Sequence, residues 1–187
     1  MNENEQYVAD AIEQHIRAGF YDQSDIEGMI DDIAEEDCDV AELKASVGPA
    51  LRAKLRAERT WPAVTDCDRL DKVFYDLHET GICALSNTGT TMSDGYSGVT
   101  EALAHAPAEH YRGYCFYHGQ DVESALDGHG VWIAFGALDP VPSRTLEAGE
   151  MVAAVLRAAG FAIDWDGTAA TRIHIMPFNW QKRALRG

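Results

Sequence analysis

The spacing of apolar residues changes at Trp61-Pro62, and this change constrains the fold more than any other feature of the chain. Before this point apolar residues recur at helical intervals, as Ile26, Ile30 and Ile33 do. After it, short apolar runs alternate with helical segments, a pattern typical of a sheet covered by helices. We therefore predict an acidic helical region over residues 1–59 and an α/β domain over residues 60–187.

The first region indicates amphipathic helices only. Gly19 is expected to end the first helix and Ser24 to cap the second, because these residue types favour helix ends. Gly48-Pro49 is expected to kink or split the third, since proline lacks the backbone donor that a helix interior requires. Short isolated helices are marginal in water, so these helices must pack on one another or on the rest of the chain.

The second region predicts a mixed sheet of about five strands with packed helices, which is an α+β fold. Its last two strands flank Asp166-Gly167, a dipeptide typical of hairpins, and this favours a mixed sheet over a purely parallel one. The predicted strands cover residues 82–85, 113–118, 131–135, 161–165 and 172–176.

The chain carries a net charge of −16, and the charge is uneven. Ten acidic residues and no Lys or Arg lie between Tyr21 and Leu43, whereas basic residues gather at 54–56 and in the tail Lys182-Arg183-Ala-Leu-Arg186. This balance argues against nucleic acid as a ligand, because binding phosphates requires a basic face. The acidic helices either steer a basic protein partner or form a solvated face that only adds solubility.

The compartment is predicted to be the cytoplasm, without attachment to a membrane. The N-terminus is polar and acidic, and no apolar run approaches the roughly 18 residues that a membrane-spanning helix needs. The cysteines form no C-x-x-C pair and have no metal-ligand spacing, so we expect free and mostly buried thiols. No metal site and no cofactor is predicted. The four cysteines are Cys38, Cys67, Cys83 and Cys115.

The segment His118-Gly-Gln-Asp121 joins the second strand to the next helix and is the main candidate for chemistry. A histidine beside a carboxylate suits a general base or half of a metal site. The alternative is structural: Asp121 caps the helix while His118 ends the strand. Other histidines are available as ligands, but none has a diagnostic spacing.

The loop 86–95 is rich in Ser, Thr and Gly and lies between a strand and a helix, as phosphate-binding loops do. It lacks the G-x-x-x-x-G-K-[ST] pattern and has no Lys or Arg, and Asp94 would repel a phosphate. Thr91 and Asp94 fit a capping box better.

Asp166 and Arg172 flank the final hairpin and are expected to be able to pair across it. Asp94, His118 and Asp166 each follow a predicted strand. If those strands run parallel, the three residues converge on one edge, where open α/β sheets bind ligands. The candidate binding residues are Asp94, His118, Gln120, Asp121, Asp166 and Arg172; no catalytic residue is established.

Three motifs stand out in the second region. They are Gly-Thr-Thr-Met-Ser-Asp-Gly at 89–95, Trp165-Asp-Gly167 and, the most specific, Phe116-Tyr-His-Gly-Gln-Asp121. On these motifs the chain from Asp66 onward resembles an uncharacterised bacterial protein family without an assigned function. The resemblance implies an α/β domain behind a helical N-terminal part. It implies no known activity, so no catalytic residues carry over.

Two functional hypotheses follow. The first is a non-enzymatic binding or regulatory module that docks a protein partner on the acidic helices. The alternative is a small-molecule-binding or hydrolytic enzyme with a His/Asp site at the C-terminal ends of strands. The narrow apolar stripes of the first region fit a monomer or a dimer equally well.

Overall fold

The computed structural model describes residues 1–107, 110–139 and 141–185. Arg186 of the basic tail lies outside the described residues. The chain divides into two compact units. The first contains Met1–Thr65 together with Gln181 and the described residues after it, and the second contains Asp66–Trp180. The division therefore follows Thr65, slightly beyond the boundary suggested by the sequence, and the C-terminal residues belong to the first unit.

The first unit contains three helices, α1 (Glu3–Ala18), α2 (Gln23–Ile33) and α3 (Val40–Glu58). Their apolar stripes meet in one small core, as helices too short to be stable alone require. The buried residues of this core are Val8, Ile12, Ile16, Ile26, Ile30, Leu43 and Val47.

The ends of these helices follow local rules, with two differences from expectation. Gly19 ends α1 with a left-handed φ of 81°, as predicted. The cap of α2 is Asp22 and not Ser24, because the Asp22 carboxylate accepts the N–H of Asp25 at 2.9 Å. Pro49 lies inside α3 without splitting it; apolar residues on both sides of Pro49 pack on the core of the unit.

The second unit is an α+β structure with a five-stranded mixed sheet, as predicted. The strand order is β1-β2-β3-β5-β4; β1 and β2 are parallel, and every other neighbouring pair is antiparallel. The elements are α4 (Asp66–Glu79), β1 (Ile82–Leu85), α5 (Met92–Ala104), β2 (Gly113–Phe116), α6 (Gly119–Leu126), β3 (Val131–Ala137), α7 (Pro142–Ala158), β4 (Ile163–Asp164) and β5 (Ile173–Ile175).

Helices cover both faces of the sheet. Successive side chains of a strand point to opposite faces, so each strand contributes residues to the packing on either side. On one face the ring of Phe74 in α4 contacts Tyr117, and α7 packs on the same side through Gly149 against Phe135. On the other face Val99 of α5 packs against Phe116.

The cysteines are free thiols, as expected, and three of them are buried. Within the described residues, no three His, Cys, Asp or Glu side chains form a group that could hold a metal ion. None of the described helices combines the length and the apolar character that crossing a bilayer requires.

Candidate functional site

The C-terminal ends of β1 and β2 lie side by side because these strands are parallel neighbours. The loop after β1 therefore meets the start of α6. The N–H of Gly119 donates to the carbonyl of Gly89 at 2.9 Å, and the N–H of Gln120 donates to the carbonyl of Thr90 at 3.2 Å. Two of the predicted site segments are thus brought together, and the first amides of α6 are already hydrogen-bonded.

The N-terminus of α5 is closed by the capping box of Thr91 and Asp94, as predicted. The Asp94 carboxylate accepts the N–H groups of Thr91 at 2.9 Å and of Thr90 at 3.1 Å. These hydrogen bonds, first those with Thr91, hold the pKa of Asp94 below its ordinary value. A phosphate at this helix end would be repelled by the Asp94 carboxylate, which already accepts the backbone N–H groups of Thr90 and Thr91.

His118 and Asp121 form the start of α6. The backbone N–H of His118 donates to Oδ2 of Asp121 at 3.0 Å. The expected cap position of Asp121 is wrong: His118 is the N-cap of α6, and Asp121 is the third residue of the helix, whose carboxylate reaches back to the N-cap amide. Nδ1 of His118 lies 3.2 Å from the same oxygen but outside hydrogen-bonding geometry, and it has no hydrogen bond to any described residue. Both residues are almost completely buried, with 3% and 2% of their surface exposed.

Arg172 completes the cluster from the residue before β5. Its Nη1 donates to Oδ1 of Asp121 at 2.8 Å and lies 3.5 Å from Nε2 of His118. We call His118, Asp121 and Arg172 the buried triad. It links the end of β2, the first turn of α6 and the start of β5.

The predicted pairing of Asp166 with Arg172 across the hairpin is wrong. The Asp166 carboxylate accepts hydrogen bonds from Thr168 and Thr171 within its own loop, and Arg172 binds Asp121 instead. These loop contacts, with that of Thr171 the largest, lower the pKa of Asp166.

The convergence of three strand ends on one edge is also wrong for Asp166. The strand that precedes it, β4, runs antiparallel to β1 and β2, so its C-terminal end points to the opposite end of the sheet. Asp94, His118 and Asp121 do share one end. Gln120 lies beside them with an exposed side chain and contributes its backbone N–H to the loop.

Trp132 was not a candidate from the sequence, yet its ring lies beside Arg172 of the buried triad. Its indole ring stacks on His174 with centroids 4.0 Å apart, and the Arg172 guanidinium lies 5.5 Å from the indole centroid. Trp132 and His174 are directly paired residues of β3 and β5. The alternation of side chains along β3 signals which face Trp132 occupies, but its partners depend on strand order.

The chemistry of the buried triad follows from its donors. A guanidinium only donates, so Nε2 of His118 faces it as an acceptor and the ring proton of neutral His118 lies on Nδ1, towards Asp121. Burial, aided by the Arg172 charge, lowers the pKa of His118 although Asp121 and Asp94 oppose this shift. The basic nitrogen of His118 is therefore occupied, and the arrangement favours bracing of the fold over proton transfer.

Acid is expected to weaken the folded protein through His118. Because its pKa is lower in the folded chain than in the unfolded chain, the unfolded state takes up the proton first. The contribution of neutral His118 to stability is complete above about pH 6.5, the unperturbed histidine pKa, and is lost as the pH falls from there through the folded pKa.

Urea unfolding at several pH values should give a smaller loss of stability in acid for His118→Gln than for the natural chain. His105→Gln, at an exposed position, is the control and should leave the pH dependence unchanged; equal effects of both variants would contradict the assignment.

The first unit presents a second candidate, a run of exposed carboxylates at the end of α2 and before α3. We call it the acidic surface and define it as Asp31, Asp32, Glu35, Glu36, Asp37 and Asp39. Among the described residues only Asp31 has a basic partner, Lys44. The turn is held in place by the first turn of α1, because Asn2 and Asn4 donate to Asp37.

No curated protein and no solved structure matches the chain. One family model matches residues 1–184, which covers both units and not only the part from Asp66 onward. The expected membership of an uncharacterised family is confirmed: the chain belongs to the family described as domain of unknown function DUF6891.

Proposed function

We propose that the protein is a non-enzymatic binding module that docks a basic protein segment on the acidic surface. The observation that carries this proposal is the density of exposed carboxylates that find almost no basic partner within the described chain. Such a surface raises the local potential and steers positively charged partners towards it.

The position of these carboxylates supports the proposal, because it is unfavourable for the isolated fold. Asp31 and Asp32 lie in the last turn of α2, which contains no basic residue. The C-terminal end of a helix carries partial negative charge, so carboxylates there are repelled by the helix and by one another. A cationic partner would relieve both repulsions.

An exposed aromatic residue lies on the same helix as a residue that contacts the acidic surface. Tyr7 lies one helical turn after Asn4, whose side chain donates to Asp37, and 66% of the surface of Tyr7 is exposed. Arginine binds tyrosine rings through cation–π contacts, and tyrosine is enriched among residues that dominate binding energy. This neighbourhood favours an arginine-containing segment as the ligand.

The buried triad supplies no comparable argument for an enzyme. His118 and Asp121 are inaccessible, and the one partly exposed member, Arg172, already holds Asp121. Their arrangement is explained by the need to satisfy buried charges.

The test is the binding of a fluorescein-labelled peptide of repeated Arg-Gly-Ser triplets to the full chain, measured by fluorescence anisotropy. We expect binding that weakens as the NaCl concentration rises from about 50 to about 300 mM, because salt shortens the distance over which exposed charges attract each other. The variant Asp32→Asn/Glu35→Gln/Glu36→Gln should weaken binding about fivefold or more, corresponding to roughly 1 kcal/mol. Tyr7→Ala should weaken it as well.

Matched controls separate a defined site from general charge attraction. Glu101→Gln/Asp127→Asn/Glu150→Gln removes the same number of exposed charges from the second unit, and Tyr75→Ala removes another exposed tyrosine. Both should bind the peptide nearly as the natural chain does. Equal weakening by the two triple variants, or no binding at low salt, would refute the proposal.

A further inference from the structure

A cavity of about 330 Å³ lies at the other end of the sheet, away from the buried triad. It is bounded by Ile82 at the start of β1, Arg112 just before β2 and Leu138 just after β3. Its volume falls in the range of about 300–1,000 Å³ typical of small-molecule sites. Neither the acidic surface nor the buried triad takes part in it.

One face of α7 forms a wall of the cavity. Arg144, Glu147, Ala148 and Met151 follow one another at helical spacing and all line the space. Ala148 is buried and meets the similarly buried Ile82 in an apolar floor. The cavity thus combines an apolar floor with charged groups at its rim.

Tyr111, another lining residue of the cavity, is held in place by hydrogen bonds. The hydroxyl of Tyr111 lies 2.9 Å from Nδ1 of His78, and Nε2 of His78 lies 2.8 Å from the carbonyl of Ala84. The carbonyl can only accept, so Nε2 donates and Nδ1 accepts the Tyr111 proton, which burial retains by raising the pKa of Tyr111.

The backbone of Arg112 is fixed in the same way. Its N–H donates to the carbonyl of Gly81 at 2.9 Å, and its carbonyl accepts the N–H of Leu138 at 3.1 Å. Walls that are already ordered lose little freedom when a ligand binds, which improves affinity.

Within residues 1–107, 110–139 and 141–185, the charges at the rim form one ion pair and two groups without an ion pair. Arg144 and Asp139 pair with each other. Arg112 donates Nη2 to the thioether of Met151 at 2.9 Å, and thioether sulfur is a weak acceptor for a guanidinium. Glu147 has no basic partner among the described residues of the chain.

We propose that this cavity binds a small zwitterion with an apolar body, such as a free amino acid with an aliphatic side chain. The carboxylate of the ligand replaces the Met151 sulfur as the acceptor for Arg112. A guanidinium group is well suited to this exchange, because it can bind both oxygens of a carboxylate through two parallel N–H groups. The ammonium group faces Glu147. The aliphatic chain covers Ile82 and Leu138.

Titration of the full chain with L-leucine tests the inference, followed by isothermal calorimetry and by amide chemical shifts in two-dimensional NMR. We expect saturable binding with shifts centred on residues 111–112 and 144–151. 4-Methylpentanoate lacks the ammonium group and 3-methylbutylamine lacks the carboxylate. Each should bind at least about tenfold more weakly, the effect of losing one charged contact. Equal binding of 4-methylpentanoate and L-leucine would overturn the assignment to a zwitterion.

Variants locate the binding. Arg112→Gln and Glu147→Gln should each weaken L-leucine binding at least about tenfold, and Leu138→Trp should abolish it by filling the cavity. Arg157→Gln and Glu150→Gln change exposed residues of the same helix that do not line the cavity, and they should bind normally. Circular dichroism checks that each variant is folded. Absence of L-leucine binding by the natural chain, or equal weakening by Glu150→Gln, would overturn the inference.

Discussion

Replacement of Asp121 by alanine is expected to lower the free energy of unfolding by about 3 kcal/mol, the lower end of the range for breaking a buried ion pair. Asp121 accepts the backbone N–H of His118 and a guanidinium N–H of Arg172, and the variant leaves both donors without this acceptor. The lower end of the range applies because Arg172 is one-third exposed, with 32% of its side chain accessible, and can partly turn to water.

Urea denaturation followed by circular dichroism measures this loss. Asp121→Asn should cost less than Asp121→Ala, since the amide oxygen can still accept one hydrogen bond. Asp166→Ala is the matched control, because this carboxylate is exposed and, among the residues that the structure describes, its hydrogen bonds lie within its own loop. A loss for Asp166→Ala as large as that for Asp121→Ala would show that the triad does not brace the sheet end.

The second large effect concerns two helical glycines that should respond in opposite directions to the same substitution. A Cβ atom on Gly95 of α5 would lie 2.1 Å from Cε2 of Phe116, a completely buried ring. We expect Gly95→Ala to destabilise the protein by about 2 kcal/mol, within the range for overpacking a core. A Cβ atom on Gly28 of α2 meets nothing within 4 Å, so Gly28→Ala should stabilise by about 0.5–1 kcal/mol through helix propensity.

Chemical denaturation of both variants tests this contrast, and a double-mutant cycle tests its cause. If the Phe116 ring is the obstacle, Gly95→Ala should destabilise much less in a Phe116→Leu background than in the natural chain. Additive losses in the double variant would assign the destabilisation to something other than this contact. Stabilisation by Gly95→Ala would contradict the packing of α5 on β2.

Much of the fold follows from local patterns. The strand at 82–85 matches β1 in full, and the capping box of Thr91 and Asp94 forms as predicted, because such contacts involve residues only a few positions apart. The local errors concern helix ends and a helix interior. Asp22 and not Ser24 caps α2, and His118 is the N-cap of α6 in place of Asp121. Pro49 does not split α3.

The candidate site was predictable only in part. The contact of the loop after β1 with the first residues of α6 needs just the parallel order of β1 and β2, which the alternating pattern favours. The partner of Arg172 lies 51 positions earlier in the chain, and the direction of β4 decides where Asp166 points. The spacing of apolar residues indicates neither the long-range partner of Arg172 nor the direction of β4. The sequence therefore pointed to Asp166, the nearby carboxylate, as the partner of Arg172.

By itself, the sequence determined the α+β class and the concentration of carboxylates on one stretch of helix and turn, and it pointed to two parts that meet near Trp61-Pro62, close to the division after Thr65. These properties depend on composition and on spacing within a few residues. Only the tertiary structure decided which strands are neighbours, that Asp121 binds Arg172, and that a Cβ atom on Gly95 would collide with Phe116 whereas one on Gly28 meets no atom within 4 Å. The physical reason is that each of these depends on atoms brought within contact distance from distant parts of the chain, where close packing leaves no room for an additional carbon.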